Sequence, residues 1–81
     1  MTEEQIFDEL KEVLADQLEL DGVEVRRESS LRDDLGASSL EMVELVFELE
    51  KLTNTKIELD ELAEVKTVDD IIQVIRSKID P

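Results

Sequence analysis

The chain has no cysteine and no histidine among its 81 residues. Without cysteine there is no disulfide framework and no thiolate metal site. Without histidine the commonest general base and the commonest metal ligand are both missing. Ser-His-Asp and Cys-His catalytic arrangements are therefore impossible within the chain. Aromatic residues are limited to Phe7 and Phe47, so any core must be aliphatic. With only two glycines and one proline, little interrupts a helical pattern. No apolar run exceeds the three residues Leu45-Val46-Phe47, too short to span a bilayer. Met1-Thr2-Glu3-Glu4 carries neither the basic nor the apolar region of a signal peptide. The expected location is the cytosol, or an equivalent organelle compartment after removal of a targeting segment.

Positive charge is also scarce. Nine bases against twenty-three acids give a net charge of −14. Such a surface repels nucleic-acid backbones and anionic membranes and attracts proteins with basic patches. High charge can mean disorder, but 41% of the residues are hydrophobic and they recur at helical spacing, which argues for a folded bundle. No stretch has the spaced ligands and glycine of an EF-hand loop, so no metal site is expected.

What is present is a run of helices in one domain spanning residues 1–81. Thr2 and Gln5 form a capping-box pattern. Ile6, Leu10, Val13, Leu14 and Leu18 then share one helical face, and the helix is expected to end near Leu20, before Asp21-Gly22. Residues 21–38 form a long connection in which Leu31 and Leu35 can plug the core, while Val23 and Val25 are too few for a sheet. Arg26, Arg27 and Arg32 in this loop are expected to pair with nearby acids.

Ser38 and Glu41 make a second capping box, opening a helix from about Ser39 to Leu52. Leu40, Val43, Val46 and Leu49, extended by Leu45, Phe47 and Leu52, give it an apolar surface wide enough to touch more than one neighbour. Glu41, Glu44 and Glu48 line an exposed stripe. A short helix is expected at Asp60 to Glu64, capped by Asp60. A last helix follows Thr67, with Asp70 three residues on, Val68, Ile71, Ile72, Ile75 and Ile79 on one face, and Pro81 at the end. The expected fold is all-α: a small antiparallel bundle of three main helices and one short helix, with a long loop between the first two.

One segment is suited to chemistry. Asp34-Leu-Gly-Ala-Ser-Ser-Leu-Glu-Met42 places the Ser39 hydroxyl at the start of the second helix, where free N–H groups and the helix dipole favour a negative group such as phosphate. Ser38 alone accounts for the cap, which leaves Ser39 free to point outward.

Leu35-Gly36-Ala37-Ser38-Ser39-Leu40, followed by Val43-Glu44-Leu45 and Leu49-Glu50, resembles the acyl carrier proteins. The likeness extends over nearly the whole chain. It includes the amphipathic first helix, the long loop, Ile57 before a short acidic helix, and Thr67-Val68 opening the last helix. The resemblance implies that Ser39 receives 4′-phosphopantetheine from coenzyme A through a separate magnesium-dependent transferase. Modification at Ser38 is the lesser alternative. The arm's thiol then carries acyl groups as thioesters, so the absent cysteine is no obstacle. The family usually has aspartate directly before the modified serine, and this chain has Ser38. That departure implies slower modification by a housekeeping transferase and a specialised carrier.

The resemblance further implies a docking face for the transferase and for acyl-processing enzymes. Its candidates are Asp33, Asp34, Leu40, Glu41, Met42, Glu44 and Glu48. Residues 33–64 hold ten acids against Lys51 and Lys56, which leaves −8 of the total −14 in this segment. Candidates for an acyl pocket are Val43, Val46, Leu49, Ile57, Leu62, Val65 and Ile72. The function implied is a monomeric carrier, itself no enzyme, serving fatty acid, polyketide or specialised lipid synthesis. An unmodified acidic adaptor of the same fold and a peptidyl or amino-acyl carrier are the alternatives.

Overall fold

The computed structural model describes residues 2–20 and 22–79, the Leu59 side chain excepted. Among these it has four helices: α1 (Glu3–Leu18), α2 (Ser39–Thr53), α3 (Leu59–Ala63) and α4 (Val68–Ile79). No described helix is long and apolar enough to cross a membrane.

Local sequence explains where each helix begins. The Thr2 hydroxyl accepts the Gln5 N–H at 3.1 Å, and the Gln5 side chain accepts the Thr2 N–H at 2.8 Å. This reciprocal cap satisfies two donors that α1 cannot satisfy internally. Ser38 and Glu41 do the same for α2. At α4, Thr67 Oγ1 accepts the Asp70 N–H at 3.2 Å, while Asp70 Oδ2 accepts the N–H groups of Thr67 and Lys66 at 3.0 and 2.9 Å. Those donors hold the Asp70 carboxyl below its usual range.

Some boundaries differ from the sequence reading. Helix α1 ends at Leu18, because Glu19 turns into the left-handed region at φ 52°. Leu20 N–H then closes the end on Ala15 C=O at 3.1 Å. Helix α3 begins one residue earlier than expected, with Glu58 rather than Asp60 at its cap position. Two overlapping acidic patterns were available there, and Glu61 decides between them by accepting the Glu58 N–H at 3.4 Å. Asp21 and Pro81, read as parts of stop signals, lie outside the described residues.

The core is aliphatic throughout. Ile6, Leu10 and Leu14 from α1 meet Leu45, Val46 and Leu49 from α2 and Val68, Ile71, Ile72 and Ile75 from α4. Burying each such side chain contributes roughly 1.5–3 kcal/mol. Leu31 and Leu35 plug the core from the long loop, as their spacing suggests. Val13 and Leu18 are only half-buried. Helix α2 is narrower inside than its composition implies. Leu40, Phe47 and Leu52 are exposed, so the apolar width of α2 is not all spent on neighbouring helices.

The long loop is ordered by hydrogen bonds rather than by strands. One isolated bridge joins Ser30 to Thr67 among the described residues. Val68 N–H donates to Ser29 C=O, and Asp69 N–H to Arg27 C=O, so loop carbonyls satisfy the first donors of α4. Ser29 is buried, and its hydroxyl accepts the Arg26 N–H at 2.9 Å. Arg27 also bridges Glu3 and Asp69, and Arg76 pairs with Glu3. Glu3 thus ties α1, the loop and α4 together. The guanidinium groups of Arg27 and Arg76 hold its carboxyl below the usual range.

Candidate functional site

A helical turn over residues 31–34 leads into the site. Ser30 Oγ accepts the Asp33 N–H, and Asp34 Oδ2 accepts the Ser30 N–H at 2.7 Å. Ala37 N–H donates to Leu31 C=O at 2.8 Å, folding the turn back on itself. Gly36 makes the reversal at φ +71°, a conformation costly for a side-chain-bearing residue. Ala37 is buried beneath the turn, which fixes where Ser38 and Ser39 emerge.

The two serines have different situations. The Ser38 hydroxyl accepts the Glu41 N–H at 3.2 Å, and Glu41 Oε1 accepts the Ser38 N–H at 2.9 Å. Ser38 is committed to starting the helix. Ser39, the first residue of α2, is exposed, and its Oγ accepts a hydrogen bond from the Arg32 guanidinium at 3.0 Å. The expectation that Arg26, Arg27 and Arg32 all pair with acids needs correction. Arg26 pairs with Glu24 and Arg27 with Glu3 and Asp69, but Arg32 has no carboxylate partner among the described residues. Its position on the 31–34 turn aims it at the head of α2 instead.

Beside Ser39 opens a cavity of about 580 Å³. Its apolar lining comes from Leu31, Met42, Val43, Leu62, Ala63 and Val65, and its polar lining from Ser30, Arg32, Asp33, Ser39 and Lys66. A second, much smaller space of about 10 Å³ lies among mostly buried side chains: Leu45, Val46, Leu49, Ile57, Leu62, Val65, Ile71 and Val74. Leu62 and Val65 line both, so the two spaces adjoin at these side chains.

The structure therefore divides the residues expected at an acyl pocket. Val43 lies at the outer cavity; Val46, Leu49 and Ile57 lie at the inner space; Leu62 and Val65 border both. Ile72 is wholly buried and borders neither space. Of the residues expected on a docking face, Asp33, Asp34, Leu40 and Glu44 are exposed, and Glu41 and Glu48 are half-exposed. Met42 is the exception. It is only 6% exposed and points into the cavity, because it lies on the inward side of α2 with Leu45, Val46 and Leu49. The outer face instead carries Leu40 at 69% exposure and Phe47 at 57%, with Glu44 between them. Phe47, expected to help α2 touch a neighbouring helix, faces solvent instead; its seven-residue spacing from Leu40 is the sequence signal that the two share a side.

The residues present fit a phosphopantetheine arm. An accessible hydroxyl stands on the rim of a cavity with an apolar floor, and Arg32 and Lys66 are cations on the lining. Comparison with known proteins agrees. A family described as "Phosphopantetheine attachment site" matches residues 8–75. The acyl carrier protein of Wolinella succinogenes is 43% identical over 72 residues, covering 89% of this chain and 95% of that one. That of Clostridium acetobutylicum is 39% identical over 72 residues, covering 89% and 94%. In fold, the chain is similar to the crystal structure of an acyl carrier protein from Thermotoga maritima, with a TM-score of 0.84 at 23% identity, covering 98% of this chain and 92% of that one. The chain belongs to the acyl carrier protein family, whose members hold acyl groups on a 4′-phosphopantetheine prosthetic group.

Proposed function

We propose that Ser39 is the residue that bears 4′-phosphopantetheine in this carrier. The observation that supports it most is the contrast between neighbours. Ser38 Oγ is engaged in the helix cap, whereas Ser39 Oγ takes no part in the cap and stands at the cavity rim with the Arg32 guanidinium. The chain contributes the nucleophilic oxygen and has no histidine to serve as its base. The serine oxygen takes the phosphopantetheinyl group from coenzyme A, its proton passes to a base in the complex with the transferase, and 3′,5′-ADP departs. The group supplies a flexible arm ending in a thiol on which acyl chains ride as thioesters.

The rest of the molecule presents and shelters that arm. Asp33, Asp34, Glu41, Glu44 and Glu48 surround the head of α2 with negative charge, which steers enzymes with basic patches toward Ser39. Leu40 and Phe47 add apolar contact area at the centre of this acidic face. The face is read as an enzyme-docking surface on a cytosolic monomer, and the net charge opposes association with a second copy. An acyl chain entering from the outer cavity meets Leu62 and Val65. Parting them opens the route to the void between α2 and α4. Helix α3, which carries Leu62, packs least against the other helices, so it is the element best placed to yield.

The test is intact mass after incubation with coenzyme A, magnesium and a broad-specificity transferase. Wild type should gain one phosphopantetheine unit, and Ser39→Ala should gain none. An unmodified wild type would favour the adaptor reading. A full gain on Ser39→Ala would move the site elsewhere.

A further inference from the structure

Cations are rare here, and most are committed. Of the nine, Lys11, Arg26, Arg27, Lys51, Arg76 and Lys78 each pair with a carboxylate. Among the described residues, Arg32, Lys56 and Lys66 do not. Two of those three, Arg32 and Lys66, line the cavity that Ser39 borders. They come from segments far apart in sequence that the backbone draws together. Leu31 N–H donates to Lys66 C=O at 3.0 Å, and Ser30 bridges to Thr67. The cavity lining holds one carboxylate, Asp33, against these two cations. In a chain of net charge −14, a lining with a surplus of positive charge is exceptional.

We infer that Arg32 and Lys66 form a clamp for the phosphodiester on Ser39, laying the arm over the apolar floor of the cavity. The inference rests on the reading of Ser39 as the attachment residue. The Arg32 guanidinium already donates to Ser39 Oγ at 3.0 Å. Esterification makes that oxygen a poorer acceptor, but it brings the charged phosphoryl oxygens two bonds beyond it, on the phosphorus. A guanidinium in this position exchanges a neutral acceptor for an ionised one, which is a stronger and more directional contact. One phosphodiester charge also balances the surplus cation of the lining. With the phosphate held, the next atoms of the arm run toward Met42, Val43, Leu62 and Val65 rather than into solvent. Arg32 and Lys66 are positioning residues, acting on the arm and not on its reactive end.

The absence of cysteine provides the readout, because the arm's thiol is the only thiol on the modified protein. A nitroxide attached there broadens the amide signals of residues near the arm. In the wild type, broadening should concentrate at residues 62–66 and at Met42 and Val43. In Arg32→Gln/Lys66→Gln it should fall about three- to five-fold at these amides, the size expected of exposed charge contacts, and spread over solvent-facing residues. High salt should move the wild type the same way. Lys56→Gln, which removes the unpaired cation outside the cavity, should keep the wild-type pattern. The amide spectra themselves show whether each variant is folded, and intact mass shows whether each is loaded. A loaded double variant with wild-type broadening overturns the clamp and leaves the attachment site standing. Failure of the wild type to load overturns both.

Discussion

Ser38 and Ser39 are chemically identical and adjacent, yet the fold gives them different uses. Ser38 holds the first turn of α2 through two reciprocal hydrogen bonds. Replacing it tests that role directly. Ser38→Ala should cost about 1 kcal/mol of stability in urea denaturation, whereas Ser38→Asp should cost little, since aspartate caps as well as serine and suits the helix dipole. Equal losses for the two variants would mean that the hydroxyl is not acting as the cap. This division was legible in the sequence, because the capping-box spacing from Ser38 to Glu41 is local. Arg32 was not. Its contact with Ser39 exists only because the 31–34 turn folds back at Gly36, and residue spacing along a loop carries no record of such a reversal. Met42 is buried although the family resemblance implies a place on the docking face, because its i, i+3, i+4 pattern with Leu45 and Val46 points inward.

At the scale of elements, the helices that matched the sequence reading best are those with strong caps and a single apolar stripe. Helix α4 has both: Thr67 and Asp70 at its start, and Val68, Ile71, Ile72 and Ile75 inside. Helix α3 has neither a long stripe nor one unambiguous cap, and its start moved accordingly. The cap of α4 has a pH signature. Backbone donors from Lys66 and Thr67 lower the Asp70 pKa in the folded protein. A carboxyl depressed on folding contributes stability above its unfolded value, near pH 4, and that contribution is lost as pH falls through the folded value. Wild type should melt higher than Asp70→Asn at neutral pH, and the gap should narrow as pH falls below about 4. Relief of general acidic repulsion affects both proteins, so the difference isolates Asp70. A gap independent of pH would assign the effect to something other than its charge.

For the molecule as a whole, the governing fact is the uneven distribution of its charge. The cations pin the ends of α1 and α4 and the loop through Glu3, Arg27 and Arg76, while α2 and α3 keep most of their acids unpaired. Repulsion among those acids should make the bundle less stable at low ionic strength, and salt or magnesium should raise its melting temperature. Indifference to salt would mean that the ion pairs compensate the acids. The same asymmetry leaves Arg32 and Lys66 beside the Ser39 hydroxyl, which takes no part in the cap of α2. The central claim is that this hydroxyl, Ser39, bears the arm, and one measurement addresses it most directly. Trypsin cleavage after Arg32 and Lys51 releases a single peptide, residues 33–51, that contains both candidate serines. Fragmentation of that peptide from protein purified from its own cells should place one phosphopantetheine on Ser39. Its appearance on Ser38, or a peptide without it, would contradict the account.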